Sequence, residues 1–328
     1  MGDAFELEVK TGDLLKEPAD VALLKYARSF HGADSMVASA LASAGINAGE
    51  ISPADGEATF VTTHNAIAAP VACYLGTPPL RAFRYHEVRG FARVALEKIA
   101  ARLPEAKKIV TTVHGVNSGL DENEALLSLV GGFVEAFEKG IGPKGLERIT
   151  LVETNAKRAT RMVHALDATL AKSAGVTRLN TGAFRIGRSA PQPAPIASAG
   201  GTQEKAHAFV AMPFLPELED TFHYGIFAPV RAAGLLCERV DQAVFDGPII
   251  QRIRDRIETA KVVIADLSTA NANVYLEVGY AWGKGKPTIL LVRDVKELKF
   301  DVQSYRCLVY GNIRQLEQML TKELERLT

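Results

Sequence analysis

Asp266, Asn273 and Glu277 are the residues whose types and spacing point most directly to chemistry. They lie in IADLSTANANVYLEVGYAWGKGKP, residues 264–287, where an apolar run stops at Asp266 and a second carboxylate follows at Glu277 among Val, Tyr, Leu and Gly. A helix over NVYLEVGYAWGKG sets Asn273 and Glu277 at i and i+4, on one face and one turn apart. Tyr280, three residues beyond Glu277, either covers the same pocket or packs in the core. A carboxylate among apolar residues suits two tasks. It can attack or stabilise an oxocarbenium-like sugar centre, as in glycosidic C–N cleavage, or it can act as a general base with a raised pKa. The plain alternative is a solvent-facing Glu277 paired with Arg293 or Lys284. Asp266, closing a strand, is equally suited to capping a turn by accepting backbone N–H bonds.

The elements that must position these residues alternate regularly. HAFVAM (207–212), LLCERV, KVVIADL, PTILLVRD and RCLVYG read as strands. PELEDTFHYGIFAPVRAAG, ending at Gly234, and GPIIQRIRDRIETA, with Pro248 in its first turn, read as helices, as do NVYLEVGYAWGKG and NIRQLEQMLTKELERL. Strands that are almost continuously apolar and alternate with helices predict a parallel sheet covered on both faces. Five strands suit a flavodoxin-like doubly wound sheet, whose ligands sit beyond the strand C-termini. That edge is where Asp266 falls. The loop after the first strand, Met212–Pro213–Phe214, is forced out of the sheet by its proline and precedes a helix. It either offers backbone N–H groups to an anion or simply closes the core. Asp246 and Gly247 mark a tight turn, and Arg252, Arg254 and Arg256 are expected on a solvated helix face.

Before these elements, IGRSAPQPAPIASAGGTQEKA (186–206) is rich in Pro, Ala, Ser and Gly without apolar period, and is expected to be an exposed linker. The N-terminal part, 1–185, is α/β with a mixed sheet: FELEV, ATFVTTH, APVACYLGT, KKIVTTVHG and ERITLVETN as strands, and helices from about Tyr85 to Ala101 and over AKRATRMVHALDATLAKSAG. Two strand-following loops there could cradle phosphates: Thr11-Gly12-Asp13-Leu14 and HGVNSGLDENEA (114–125). Asp13 serves equally well as a turn residue. His31, His64 and His114 lack metal-ligand spacing, and no metal site is expected.

Composition narrows the classes further. With 328 residues the chain is long enough for two domains, and its 38 basic and 38 acidic residues cancel, so no global field points to nucleic acid or an anionic membrane. No apolar stretch approaches the roughly 20 residues that span a bilayer. MGDAFELEVK lacks the apolar core of a signal peptide, and Glu6 stands where myristoylation wants Ser or Thr. Three scattered cysteines suit a reducing cytoplasm.

Residues 207–327 resemble the TIR-like and nucleoside 2-deoxyribosyltransferase-like superfamily, whose domains occur in bacterial antiphage signalling. The resemblance rests on HAFVAMPF, Tyr224-Gly225-Ile226, VDQAVFDGPIIQRIRDRIETAKVVIADLSTANANVYLEVGYAWGKGKPTILL and DVQSYRCLVYG. It implies that Glu277 is the glutamate acting on the anomeric carbon, and that Asp266 and Asn273 shape the ribose site. It further implies Met212, Pro213 and Phe214 as the loop after the first strand at the substrate. Asp246, at its tight turn, and Tyr280, three residues beyond Glu277, are expected beside them as substrate-binding positions. The Ser-x-x-Trp-Cys-x-x-Glu string of standard TIR domains is absent, with Asn273-Val-Tyr-Leu-Glu277 in its place. NAD is therefore one implied substrate, without any tightly bound cofactor, and a deoxynucleoside is the other. GDLLKEPADVALL and VTTVHGVNSGLDENEALLSLVGGF resemble macro domains, which bind ADP-ribose and related nucleotides. By that resemblance Asp13 contacts the adenine, and Gly115, Asn117, Ser118 and Gly119 the phosphates. The usual Asn-Ala-Ala-Asn string is replaced by PADVALLKYA, which favours binding over hydrolysis. The implied partners are a small nucleotide and further copies of the same chain. A pair of nucleotide-binding scaffold modules is the non-enzymatic alternative.

Overall fold

The computed structural model describes residues 2–116, 118–170, 173–188, 205–240 and 249–327. It divides into two compact units, one of residues 1–116 and 122–201, the other of 117–121 and 202–328.

The first unit is built on an eight-stranded sheet. In chain order the strands are β1 (Ala4–Thr11), β2 (Val21–Tyr26), β3 (Ala58–Thr62), β4 (Val71–Gly76), β5 (Lys108–Thr111), β6 (Arg148–Glu153), β7 (Val176–Asn180) and β8 (Ala183–Gly187). They lie in the order β3-β4-β2-β5-β6-β1-β8-β7. The five inner strands run parallel, while β3, β7 and β8 are antiparallel to their neighbours. This is the mixed sheet expected of a macro-like domain. Four helices accompany it: α1 (Ala33–Ser43), α2 (Tyr85–Arg102), α3 (Glu122–Glu138) and α4 (Ala156–Leu170). Helices α2 and α3 approach closely because Gly132 has no side chain. A Cβ there would stand 2.2 Å from the Arg89 carbonyl oxygen.

The β7–β8 hairpin was not anticipated, and it corrects the start of the expected linker. Ile186 and Gly187 are sheet residues, paired with Phe5 and Ala4 of β1. Ile186 is buried and supplies one apolar residue to the core; its Gly- and Arg-rich flank masks that signal in the sequence. The remainder of the expected linker, from 189 to 204, lies outside the described residues.

The second unit carries β9 (His207–Ala211), β10 (Leu236–Glu238), β11 (Val262–Asp266), β12 (Thr288–Val292) and β13 (Cys307–Val309), in the order β10-β9-β11-β12-β13. All pairs are parallel. Counted within the unit, the order is 2-1-3-4-5, the flavodoxin-like arrangement, with its switch point between β9 and β11. Strand residues alternate between two apolar layers. Ala208, Val210, Val262 and Ile264 face α5 (Ala228–Ala232) and α8 (Ile313–Leu324). Phe209, Ala211, Val263 and Ala265 face α6 (Ile249–Thr259) and α7 (Ala272–Gly283). Burial on both faces explains why these strands are apolar throughout.

Three expectations change here. The helix expected over PELEDTFHYGIFAPVRAAG is three pieces: a 3-10 turn at Pro216–Leu218, a π-helix at Thr221–Phe227, then α5. Gly225 lies in the π-helix, and a Cβ on it would meet the Leu316 side chain at 2.6 Å. LLCERV contributes only a three-residue strand. Finally, Arg252 and Arg256 are buried and only Arg254 of that trio is exposed. Arg256 donates from Nε to Glu238 at 2.7 Å, and its Nη2 lies 3.0 Å from His207 Nδ1. The carboxylate of the fully buried Glu238 makes an inward guanidinium favourable, a cause that helical periodicity cannot reveal.

Candidate functional site

The strongest candidate is a cavity of about 230 Å³ beyond the C-terminal end of β9. Its floor and one wall come from Val210, Met212, Pro213 and Phe214, with Leu215 and Val240 at the side. The opposite wall is the start of α7, contributing Asn271, Asn273, Val274 and Glu277. The helix begins where it does because the Asn271 side chain accepts the Asn273 N–H at 2.9 Å. From that cap, Asn273 and Glu277 fall one turn apart on the same face. Glu277 is 9% exposed, whereas Asn273 is solvent-exposed. Five residues singled out from the sequence thus meet in one place: Met212, Pro213, Phe214, Asn273 and Glu277.

Asp266 and Tyr280 do not join them. Asp266 is 1% exposed; its Oδ1 accepts the Ser268 N–H at 2.9 Å and its Oδ2 the Tyr310 hydroxyl at 2.7 Å. Its carboxylate therefore shapes the turn leading to α7 and does not line the cavity. Burial and the adjacent Asp266 carboxylate push the Tyr310 phenol up to about 12, so it stays a donor at neutral pH. The Tyr280 hydroxyl hydrogen-bonds Glu258, which also pairs with Lys284 at 2.7 Å. That pairing turns Tyr280 toward α6. It also occupies Lys284, one of the two partners considered for Glu277. The other, Arg293, donates from Nη2 to the Thr221 hydroxyl at 3.0 Å. Asp246 lies outside the described residues.

Arg239, which the sequence reading did not single out, supports the Phe214 wall. Its guanidinium carbon is 3.9 Å from the ring centroids of both Phe214 and Phe222, and its Nη2 bonds Glu219 at 2.8 Å. Glu219 also pairs with His223 at 3.3 Å. His223 and, less strongly, Arg239 hold its carboxyl down at about 2 against partial burial. Nothing in the local pattern of LLCERV marks Arg239 for this role, because its partners lie on two other segments. Asn271, the N-cap of α7, was also missed, although an Asn just before an apolar-periodic run is the signal that could have found it.

In the first unit, Asp13 is a turn residue. Its Oδ1 accepts the Leu15 N–H at 3.0 Å and its Oδ2 pairs with Lys16 at 3.4 Å. Gly115, at φ +90°, follows the buried His114 beyond β5. The loop expected as one phosphate cradle does not stay in one unit. Ser118 and Gly119 belong to the second, where Ser118 bridges to Val240. Gly119, at φ +93°, has no room for a Cβ, which would lie 2.8 Å from Val240 Cγ2. Asn117 is outside the described residues. Lys25 and Asp34, both buried and nine residues apart, form an ion pair of 3.0 Å that no local pattern announces. His114 packs edge-on to Phe91, and burial lowers its imidazole to about 4. Among the described residues no group of three or more His, Cys, Asp or Glu is placed to hold a metal, and no helix is long and apolar enough to cross a membrane.

No protein-family model matches the chain, and no curated protein matches it. Among solved structures, a macrodomain mutant from Oceanobacillus iheyensis aligns at 14% identity and a TM-score of 0.40, covering 50% of this chain and 92% of its own. A Trypanosoma brucei macrodomain in complex with ADP-ribose aligns at 13% identity and 0.37, covering 46% and 65%. The Clostridium botulinum CMP N-glycosidase BcmB aligns at 21% identity and 0.29, covering 36% and 98%.

Proposed function

We propose that the second unit is an N-glycosidase that cleaves the bond between nicotinamide and ribose in NAD, with Glu277 as the carboxylate at the anomeric carbon. The observation that carries this reading is the meeting of Glu277 and Asn273 with the Met212–Phe214 loop, across one cavity at the switch point of the sheet. The cavity is smaller than the ~300–1,000 Å³ of drug-sized ligand sites, which suits a sugar with part of its base and leaves the rest of a dinucleotide outside.

In the proposed reaction the C1′–N bond breaks and its electron pair leaves on the ring nitrogen, so the pyridinium departs as neutral nicotinamide. No general acid is required for that departure. Glu277 stabilises the oxocarbenium-like centre or bonds to it transiently. Water then supplies the new C1′–O bond and releases a proton to solvent. Asn273, at the exposed lip, is placed to hold a sugar hydroxyl. Met212 and Val274 give the cavity an apolar lining beside Glu277.

The first unit is proposed to bind a small nucleotide related to ADP-ribose and to regulate this activity. Gly115 is its best-placed contact and Asp13 acts through loop shape. An antiphage role, a cytoplasmic setting and assembly into homo-oligomers are further parts of the proposal, and they rest on the family resemblance. The second reading, a deoxyribosyltransferase or hydrolase of nucleosides, uses the same carboxylate. The test is release of nicotinamide from NAD, and of free base from deoxynucleosides, by the full chain and by Glu277→Gln, with and without ADP-ribose. Release from NAD that disappears with Glu277→Gln supports the proposal. Base release from deoxynucleosides alone selects the second reading. No release from any of them overturns both.

A further inference from the structure

Strand β10 stands at the edge of its sheet, and the residues just after it lead to the cavity. The Leu236 N–H donates inward, to the Ala206 carbonyl at 2.9 Å. Successive N–H groups of a strand point to opposite sides, so the Cys237 N–H points off the edge, where an unmet donor is costly. The carboxylate of the fully buried Asp121 meets it: Oδ2 accepts the Cys237 N–H at 2.9 Å, and Oδ1 lies 3.5 Å from Arg231 Nη1 of α5. Just past the strand, Val240 forms an antiparallel bridge with the buried Ser118. Gly119, at φ +93°, presses its backbone on the same residue, since a Cβ there would stand 2.8 Å from Val240 Cγ2. Residues 118–121 therefore take the place of a neighbouring strand. They belong to the second unit, although the chain enters the segment after Val116 and leaves it at Glu122, both of the first.

We propose that Ser118–Asp121 is a positioning segment of the candidate site. It fixes where the end of β10 lies, and with it Val240, which lines the cavity, and Arg239, whose guanidinium stacks on the Phe214 wall. None of its residues lines the cavity, so it acts on ligand affinity through Val240 and Phe214 and leaves Glu277 where α7 holds it. The kinetic consequence rests on the N-glycosidase reading; the anchoring of β10 does not.

The experiment uses the full chain. Gly119→Ala is expected to raise KM for NAD at least about five-fold with kcat within about two-fold of the parent. A fault of folding alone would lower the active fraction, and so kcat, without moving KM. In a Val240→Ala background the obstructing methyl is gone, and Gly119→Ala is expected to change KM less than about two-fold. The strain of an alanine at positive φ is present in both backgrounds and should lower the unfolding midpoint, read by Trp282 fluorescence, equally in each. Hydrogen exchange of the Cys237 amide is a readout that needs no turnover. Asp121→Asn keeps an oxygen acceptor and is expected to keep the protection. Asp121→Ala is expected to speed that exchange at least about ten-fold while the amides of β11 stay protected. An unchanged KM in Gly119→Ala, or a rise that persists in the Val240→Ala background, overturns the positioning of Val240. Cys237 protection that survives Asp121→Ala overturns the anchoring. Failure of the parent chain to release nicotinamide overturns the N-glycosidase reading, and the exchange result then decides the inference by itself.

Discussion

Replacing Tyr310 with Phe tests whether Asp266 is an anchor for the site or a member of it. The substitution deletes one hydroxyl from a residue that is 1% exposed and leaves the ring in place. It removes the 2.7 Å donor to Asp266 Oδ2 and leaves that buried carboxylate with the Ser268 N–H on its other oxygen. A hydrogen bond to a charged group contributes about 1.5–3 kcal/mol, and the Ser268 N–H that stays on the carboxylate's other oxygen keeps the loss near the middle of that range. The expected loss is therefore about 2 kcal/mol. The single tryptophan of the chain, Trp282, lies in α7 and stacks on Tyr305 at 4.1 Å, so its fluorescence reports unfolding of the second unit. With a urea slope of about 2 kcal/mol per molar, the midpoint should fall by about 1 M. Ser268 Oγ lies 3.4 Å from the same hydroxyl and accepts the Arg293 N–H at 3.0 Å, so the double variant with Ser268→Ala should cost less than the sum of the two. A Tyr310→Phe midpoint within about 0.2 M of the parent would refute the anchoring role. Asp266 would then have to be explained by direct chemistry.

Other consequences can be checked independently. Glu277→Gln is expected to reduce nicotinamide release at least about 100-fold, while the Trp282 unfolding midpoint moves by less than the equivalent of about 1 kcal/mol. Arg239→Lys keeps the charge facing Glu219 but not the planar stack on two rings, so KM should rise more than kcat falls, with Arg239→Ala worse in both. His114, lowered by burial to about 4 from an ordinary 6.5, binds its proton more readily when unfolded. Its contribution to stability is thus complete above pH 6.5 and is lost as pH falls toward 4, at up to about 1.4 kcal/mol per pH unit. Scanning calorimetry of the first unit's transition should show this slope, and His114→Phe should flatten it. Gly132→Ala must push α2 from α3, because its Cβ would lie 2.2 Å from a backbone oxygen, and a cost of about 2 kcal/mol or more is expected in the same transition.

The apolar runs of β9, β11 and β12 and the helical period between them were sufficient to read a parallel doubly wound sheet, because burial on both faces leaves no polar alternation to confuse the pattern. The i, i+4 relation of Asn273 and Glu277 was likewise legible, since a helix converts sequence spacing directly into position on a face. Asp266 and Tyr280 show the limit of that logic. Each lies near Glu277 along the chain, yet each is claimed by a partner far away in sequence, Tyr310 for one and Glu258 for the other. Arg239 fails in the opposite sense: two other segments converge on it, and neither marks it locally. Arg256 reads as part of a solvated stripe because its buried carboxylate partner, Glu238, leaves no trace in the period. Local spacing is enough to say which residues share an element and a face. Which carboxylate lines the cavity and which is held in the turn beneath it follows from packing alone, because hydrogen-bond partners are chosen by distance in space and not along the chain.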